Sequence, residues 1–345
     1  MAMASISEFE FPGVIECQRL SRERFENTHL SEGKPVIIRG LCDSWPSVTA
    51  AKQGPDAIAD YVSRLDSGAR LNAFVAPPSI RGRYFYNDTL TGLNFQQVQT
   101  SLTDAVKRLL AEAENPEPPC LYAGASPSDN VTPGFAAQNP MPLLDSDIKP
   151  LIWTGNRSRI APHFDASDNI ACVVSGKRAF LLFPPEQIAD LYVGPLHQTI
   201  AGQPTSMVDP REIDFTKYPK FRNALENAQL AELHPGDALF IPSMWWHYVE
   251  ADGPLNILAN YWWNNRYSGN LMDTLALALM TLRDVPTRQR AACATLFDHY
   301  VFGDTADDAG THLPPHAQGP LAPASPERDA MIKAYLRARL GPLLR

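Results

Sequence analysis

The chain lacks any apolar run approaching the ~20 residues needed to span a bilayer. Its start, Met1 to Phe9, has neither the charged opening nor the apolar stretch of a secretory signal. Cysteine is sparse. Cys17, Cys42, Cys120, Cys172 and Cys293 are odd in number and scattered, and no pair has zinc-ligand spacing. That pattern excludes a disulfide framework and fits reduced thiols in the cytoplasm. Basic charge is also short. Lys and Arg number 30 against 38 Asp and Glu, for a formal net charge of −8, and basic groups are no larger than Arg81-Gly82-Arg83. A nucleic-acid groove needs clustered cations, so no nucleic-acid partner is expected. There is no internal repeat and no low-complexity tract. The expectation is a soluble cytoplasmic protein without a membrane partner.

What is present is an ordinary globular composition, 44% hydrophobic and 20% charged, in 345 residues. That is long for one domain and enough to bury a large core. Lys34-Pro35-Val36-Ile37-Ile38-Arg39-Gly40 reads as a buried strand. Residues 55–65 read as a helix opened by Pro55, with Ile58, Tyr61, Val62 and Leu65 on one face. Residues 94–114 read as a second helix, stopped by Pro116, Pro118 and Pro119. Cys120 to Ala123 is again a strand, and 126–150 a long loop rich in Pro, Gly, Asn and Asp. Short strands then follow densely, at 151–154, 158–164, 170–174, 178–183, 238–242, 246–250 and 255–262, with an irregular, partly helical insert at 194–230. This spacing predicts a mainly β fold, a double-stranded β-helix or jelly roll, with its barrel core at about 120–263. Beyond Arg266 the pattern turns helical. Leu271, Leu275, Leu279 and Leu282 make an apolar stripe over 270–284, Pro286 opens a helix that Gly303 ends, and five prolines mark a strap at 311–326. Ser325-Pro326-Glu327 then caps a last helix expected to bury Met331, Ala334, Tyr335 and Leu336. The domains expected are 1–266 and a C-terminal helical region, 267–345.

The chemistry centres on His163-Phe164-Asp165 and on His247, which lies 82 residues past Asp165 at the end of Pro235-Gly236-Asp237 through Pro242 to Trp245-Trp246-His247. On a strand, residues i and i+2 share a side, so His163 and Asp165 can aim at one point. A histidine from a distant strand completes two imidazoles and one carboxylate on one face of a metal. The open positions opposite suit non-haem Fe(II) and O2. Zinc accepts the same ligands, so a Zn or Mn isomerase or hydrolase stays open at this point.

Residues 14 to about 263 resemble the JmjC or cupin-like 2-oxoglutarate dioxygenases, with a likeness to asparaginyl hydroxylases of the factor-inhibiting-HIF type. The segments that carry the resemblance are His163 to Asn169, Gly176 to Pro185, Pro235 to His247 and Asn260-Tyr261-Trp262, in the family's order. It implies that His163, Asp165 and His247 hold Fe(II). It also implies that Arg178, where the family has lysine, pairs with the distal carboxylate of 2-oxoglutarate, with Lys177 as the fallback. Arginine can do this bidentately. Tyr122 would donate to the same carboxylate, and Asn169 and Asn260 would lie near the metal end. Tyr84, Tyr86 and Trp262 would line a peptide groove as substrate contacts. Three residues before His163, where the family often has threonine, stands Ile160. One hydrogen bond to the cosubstrate is then missing, or comes from Ser158 or a water.

The implied activity is hydroxylation of a protein or peptide side chain, with the β-carbon of Asn, Asp or His as candidate, yielding succinate and CO2. Demethylation of N-methyl-lysine is less favoured. Two other readings stay open: an oxygenase acting on a small metabolite or natural product, and a metal-binding cupin that serves as an interaction or sensor module without turnover. The related hydroxylases dimerise through C-terminal helices, which implies a homodimer through 270–302.

Overall fold

A computed structural model describes residues 8–263 and 271–343. The chain divides into two compact units, 1–265 and 266–345. The boundary expected at 266–267 lies outside the described residues.

In the first unit twelve strands form one continuous hydrogen-bonded system. They are β1 Glu16–Gln18, β2 Val36–Arg39, β3 Leu71–Ala76, β4 Arg83–Tyr84, β5 Gln96–Thr100, β6 Cys120–Pro127, β7 Leu151–Gly155, β8 Ser158–His163, β9 Asp168–Phe183, β10 Gln229–Leu233, β11 Ala238–Ile241 and β12 Trp246–Trp263. Two of them are long and shared between sheets. The first half of β9 pairs with β11 and with the second half of β12, which continues through β7, β6 and β3 to β5. The second half of β9 pairs with β10 and with the first half of β12, which continues through β8 to β4. This is the jelly roll expected from the strand spacing.

The bends sit opposite each other. Gly176 in β9 has φ +79° and Gly253 in β12 has φ +117°, a region that L side chains adopt only under strain. The β9–β12 register shifts between Asp252 and Ile257. Each bend also switches the parity of the inward side chains. On β9 the inward residues are Asn169 and Ala171 before the bend, and Arg178 and Phe180 after it. On β12 they are His247 and Val249 first, then Leu258, Asn260 and Trp262. A fixed alternation would have sent one half of each strand outward.

Val173, Leu182, Leu239 and Ile241 fill the space between the sheets. The outward side of β9's first half (Ile170, Cys172, Val174) packs under the helices Pro46–Gln53, Pro55–Leu65 and Leu102–Ala111, through Val48, Ile58 and Val106. The outward side of its second half (Leu181, Phe183) packs under the 184–228 segment through Leu191, Val208 and Phe221.

Several expectations need correction. Residues 94–114 are not one helix. Gln96–Thr100 is a strand against β3, and the helix starts at Leu102, where the Ser101 hydroxyl accepts from Asp104 N at 3.1 Å. Glutamine favours helix, but sheet pairing decided the segment. The pairs 170–174 with 178–183 and 246–250 with 255–262 are each one bent strand. The loop at 126–150 holds two single helical turns, Ser128–Val131 and Phe135–Gln138. The insert holds a short helix, Phe221–Glu226, and β10, a strand the spacing did not show, begins at its end.

In the second unit, helices span Leu271–Leu282, Thr287–Phe297 with a wider turn to Phe302, and Pro326–Leu343. Ser325 Oγ accepts from Arg328 N at 3.1 Å, as expected of its cap. Met331, Ala334, Tyr335 and Leu336 are exposed rather than buried, as are Leu275, Met280 and Phe302.

Candidate metal centre and cavity

His163 ends β8, and His247, one residue into β12, is its cross-strand partner. Their ring centroids are 4.3 Å apart. Asp165 lies just past the end of β8 rather than on it. Alternation persists for those two residues all the same: Phe164 turns into the outer apolar cluster while His163 and Asp165 turn inward. Ligand atoms of His163, Asp165 and His247 all lie within 4.8 Å of one another, and His247 Nε2 is 3.6 Å from Asp165 Oδ2.

The backbone fixes the ring tautomers. His163 Nδ1 is 2.9 Å from Ala161 O, and His247 Nδ1 is 3.0 Å from Trp245 O. A carbonyl only accepts, so each Nδ1 carries a hydrogen, and each Nε2 is left as the ring atom available to the common point. Burial, then the neighbouring His163, holds the His247 pKa well below the usual imidazole range, which keeps it neutral. Burial pushes the Asp165 carboxyl up, while His163, Asn169 and Trp262 pull it down. The two turns that carry the triad are tied together. Met244 N donates to Asp165 O at 2.8 Å, Ser243 N to Asp168 Oδ1 at 2.9 Å, and Ser243 Oγ to Ala166 O at 2.8 Å. Met244 holds φ +69° to make the turn, a conformation costly for a non-glycine residue.

The triad lines a cavity of about 140 Å³ that is also walled by Phe74, Ile160, Phe180, Val249 and Leu258. Arg178 and Tyr122 line it as well. Arg178 is 3% exposed, and its Nε has no hydrogen-bond partner. Burial lowers its pKa, and the adjacent Tyr122 only partly offsets this. Among the described residues no carboxylate pairs with it. Burial pushes the Tyr122 hydroxyl up to about 12, against the pull of Arg178. Lys177, the fallback, is exposed and outside the cavity.

Asn169 and Asn260 are buried in the cavity wall beside the triad. The three expected groove aromatics divide. Trp262 lines the cavity, with its indole N–H directed at the Asp165 carboxylate. Tyr84 also lines it, but at 2% exposure it stacks 5.6 Å from Tyr122 and is part of the interior, not of an open groove. Tyr86 is buried outside the cavity, its hydroxyl donating to Gln198 O at 2.6 Å. Ile160 lines the cavity where a hydroxyl was wanted. Ser158 does not reach it.

Two functional candidates escaped the sequence. Thr205, in the insert, bridges to His163 and brings a hydroxyl with no partner into the cavity. Nothing in its local sequence marks it, because the irregular segment docks only in the tertiary structure. Trp153 on β7 also lines the cavity and donates through Nε1 to Asn260 Oδ1.

A jelly-roll barrel that presents two histidines and one aspartate in the wall of an interior cavity defines a cupin-type metal centre. The chain belongs to the Cupin-like domain family, whose pattern matches residues 22–269. It is 29% identical over 269 residues to "Lysine-specific demethylase 8" of Danio rerio, covering 72% of this chain and 57% of that protein. It is 34% identical over 269 residues to "JmjC domain-containing protein F" of Dictyostelium discoideum, covering 66% of this chain and 56% of that protein. It is 33% identical over 127 residues to "Lysine-specific demethylase JMJ31" of Arabidopsis thaliana, covering 36% of this chain and 23% of that protein. The JmjC and cupin resemblance of the sequence is thus borne out, while the likeness to the asparaginyl hydroxylase remains a looser comparison. The chain spans little more than half the length of these relatives, or less.

Proposed function

We propose that this protein is an Fe(II)- and 2-oxoglutarate-dependent oxygenase that hydroxylates a side chain of a protein or peptide. One observation carries the reading. The two-histidine, one-aspartate set lines an interior cavity that also holds a buried arginine without a carboxylate partner among the described residues. A buried unpaired guanidinium is costly, and a dicarboxylic acid chelating a metal at the triad is the ligand that would complete both ends. The residues therefore fit the group: imidazoles and a carboxylate for iron, and a planar cation for the far carboxylate.

Iron, 2-oxoglutarate and O2 together supply an oxidant able to hydroxylate an unactivated C–H bond, with succinate and CO2 as coproducts. The chain does the rest. His163, Asp165 and His247 would hold the metal. Arg178 and Tyr122 fix the cosubstrate's far end, with Tyr84 and Thr205 as further hydroxyl partners in place of Ser158. Asn169 and Asn260 would order the metal end, and Trp262, which lines the same cavity, is the remaining candidate for substrate contact. The apolar walls exclude water. Lys177 takes no part.

Two relatives are named lysine-specific demethylases, which keeps N-methyl-lysine in view as a substrate. Against it, the cavity's single carboxylate is Asp165, already committed to the metal, so a cationic side chain finds no counter-charge. Hydroxylation of Asn, Asp or His is favoured. Five free thiols and a formal net charge of −8 fit a cytoplasmic protein that does not bind nucleic acid. Among the described residues no helix is long and apolar enough to cross a membrane. The exposed apolar residues of the C-terminal helices support a homodimer formed through them.

The test begins with anaerobic Fe(II) and 2-oxoglutarate, which should give a weak visible charge-transfer band. Peptides from cell extract, treated with the loaded enzyme, should then include products heavier by one oxygen atom. Formaldehyde release in place of such products would favour demethylation. No band and no succinate would refute the oxygenase.

A further inference from the structure

We propose that Trp153 is a positioning residue for the metal-binding carboxylate, acting at a distance through a one-way chain of two amides. This inference rests on the metal-centre reading above and adds a residue that the ligand set alone does not call for.

The chain has four members. Trp153 Nε1 donates to Asn260 Oδ1, Asn260 Nδ2 donates to Asn169 Oδ1 at 3.3 Å, and Asn169 Nδ2 donates to Asp165 Oδ2 at 3.5 Å. Both amides are buried, Asn260 at 2% and Asn169 at 6% exposure. An amide is nearly symmetric in shape, so either end can face either way unless a neighbour decides. An indole decides, because its N–H can only donate. Trp153 therefore forces the Asn260 oxygen toward itself and the Asn260 NH2 toward Asn169. The Asn169 oxygen must face Asn260, and its NH2 must face Asp165. Asp165, which can only accept, selects the same orientation from the other end. The indole adds a second constraint, and without its proton a joint flip, which sets the Asn169 oxygen against the carboxylate, costs one hydrogen bond less. Oxygen Oδ2 is also the one nearest His247 Nε2, so the chain ends on the atom that sets the triad's geometry.

The ring is held in place independently of its proton. It sits on β7 opposite Leu258 of β12. It packs 5.8 Å from Tyr122 and edge-on 6.0 Å from Trp262. Beneath it lies Gly124, where any Cβ would overlap the indole carbons. Glycine at 124 is the space that admits tryptophan at 153. Phenylalanine at 153 keeps most of this packing and loses only the donor, which separates orientation from bulk.

The experiment titrates Co(II) into the metal-free full chain and follows its visible d–d bands. Wild type is compared with Trp153→Phe, Asn169→Ala and the double variant, and metal-free thermal melts report the fold. Partners of metal ligands typically contribute 10–100-fold in affinity. Trp153→Phe should weaken Co(II) binding about tenfold and shift the bands, with the metal-free melt little changed. Asn169→Ala should cost at least as much. The double variant should bind no worse than Asn169→Ala alone, because the indole acts only through that amide. Affinity of Trp153→Phe within about twofold of wild type, or losses that multiply in the double variant, would overturn the proposal. If Trp153→Phe does not fold, the cycle of Asn260→Ala with Asn169→Ala decides the matter by the same rule. Failure of wild type itself to bind Co(II) would instead strike the metal-centre reading.

Discussion

Arg178 is the residue on which the cosubstrate assignment turns. Its charge is buried and, among the described residues, no carboxylate pairs with it, a cost to the fold that a bound carboxylate would offset. Arg178→Gln should raise the apparent KM for 2-oxoglutarate about 10–100-fold, the worth of about 1.5–3 kcal/mol in charge-assisted hydrogen bonds. Succinate formation against cosubstrate concentration measures it. The same change should leave the metal-free protein as stable as wild type or more so, by thermal melt. A destabilised variant with an unaltered KM would make Arg178 a structural residue. Tyr122 gives a pH prediction. Its pKa is raised to about 12, chiefly by burial, against about 10 in the unfolded chain. A raised pKa means stability that is whole below pH ~10 and lost as pH rises toward ~12. Two units correspond to about 2–3 kcal/mol. Urea unfolding at pH 9 and pH 11.5 should show Tyr122→Phe losing less stability than wild type over that interval. At this scale the candidate metal ligands and the inward place of Arg178 are legible in the sequence, because strand alternation and family order both point to them. The interior place of Tyr84 and the role of Thr205 are not, since burial of a tyrosine and docking of an insert are not local properties.

At the scale of the element, the bend in β9 does the organising. A Cβ at Gly176 would overlap Asn256 Oδ1, and the backbone there already has φ +79°. Gly176→Ala should therefore destabilise the chain by roughly 2–4 kcal/mol, summing the left-handed conformation and overpacking. Urea titration checks it, and a loss under about 0.5 kcal/mol would contradict the bend's role. The sequence pattern locates both halves of β9 and of β12 but makes each look like two strands, because a glycine in an apolar run looks like a turn. The helix at 55–65 is readable from its period, and Pro55–Leu65 is what forms. The strand at 96–100 is not, because its glutamines carry no apolar alternation and only pairing with β3 holds it.

For the whole molecule, the outstanding feature is apolar surface on the C-terminal helices. No residue of Leu271–Leu282 is buried, although the helix is mostly leucine, alanine and methionine. Exposed apolar surface on this scale marks an interaction site. Light scattering of the full chain should give twice its 38.1 kDa mass, and Leu275→Asp with Met280→Asp should halve it without changing far-UV dichroism. A wild-type monomer would end the dimer reading.

The sequence by itself determined the strand alternation, the bracketing glycines and the three candidate metal ligands, since alternation depends on neighbours one or two residues away and the order of the motifs is written along the chain. Tertiary structure alone decided that His163 faces His247 across a strand pair, that Arg178 is buried with no carboxylate partner among the described residues, and that Trp153 aims its indole N–H at Asn260. Those outcomes depend on how far each bent strand turns, and that is set by packing between residues distant along the chain.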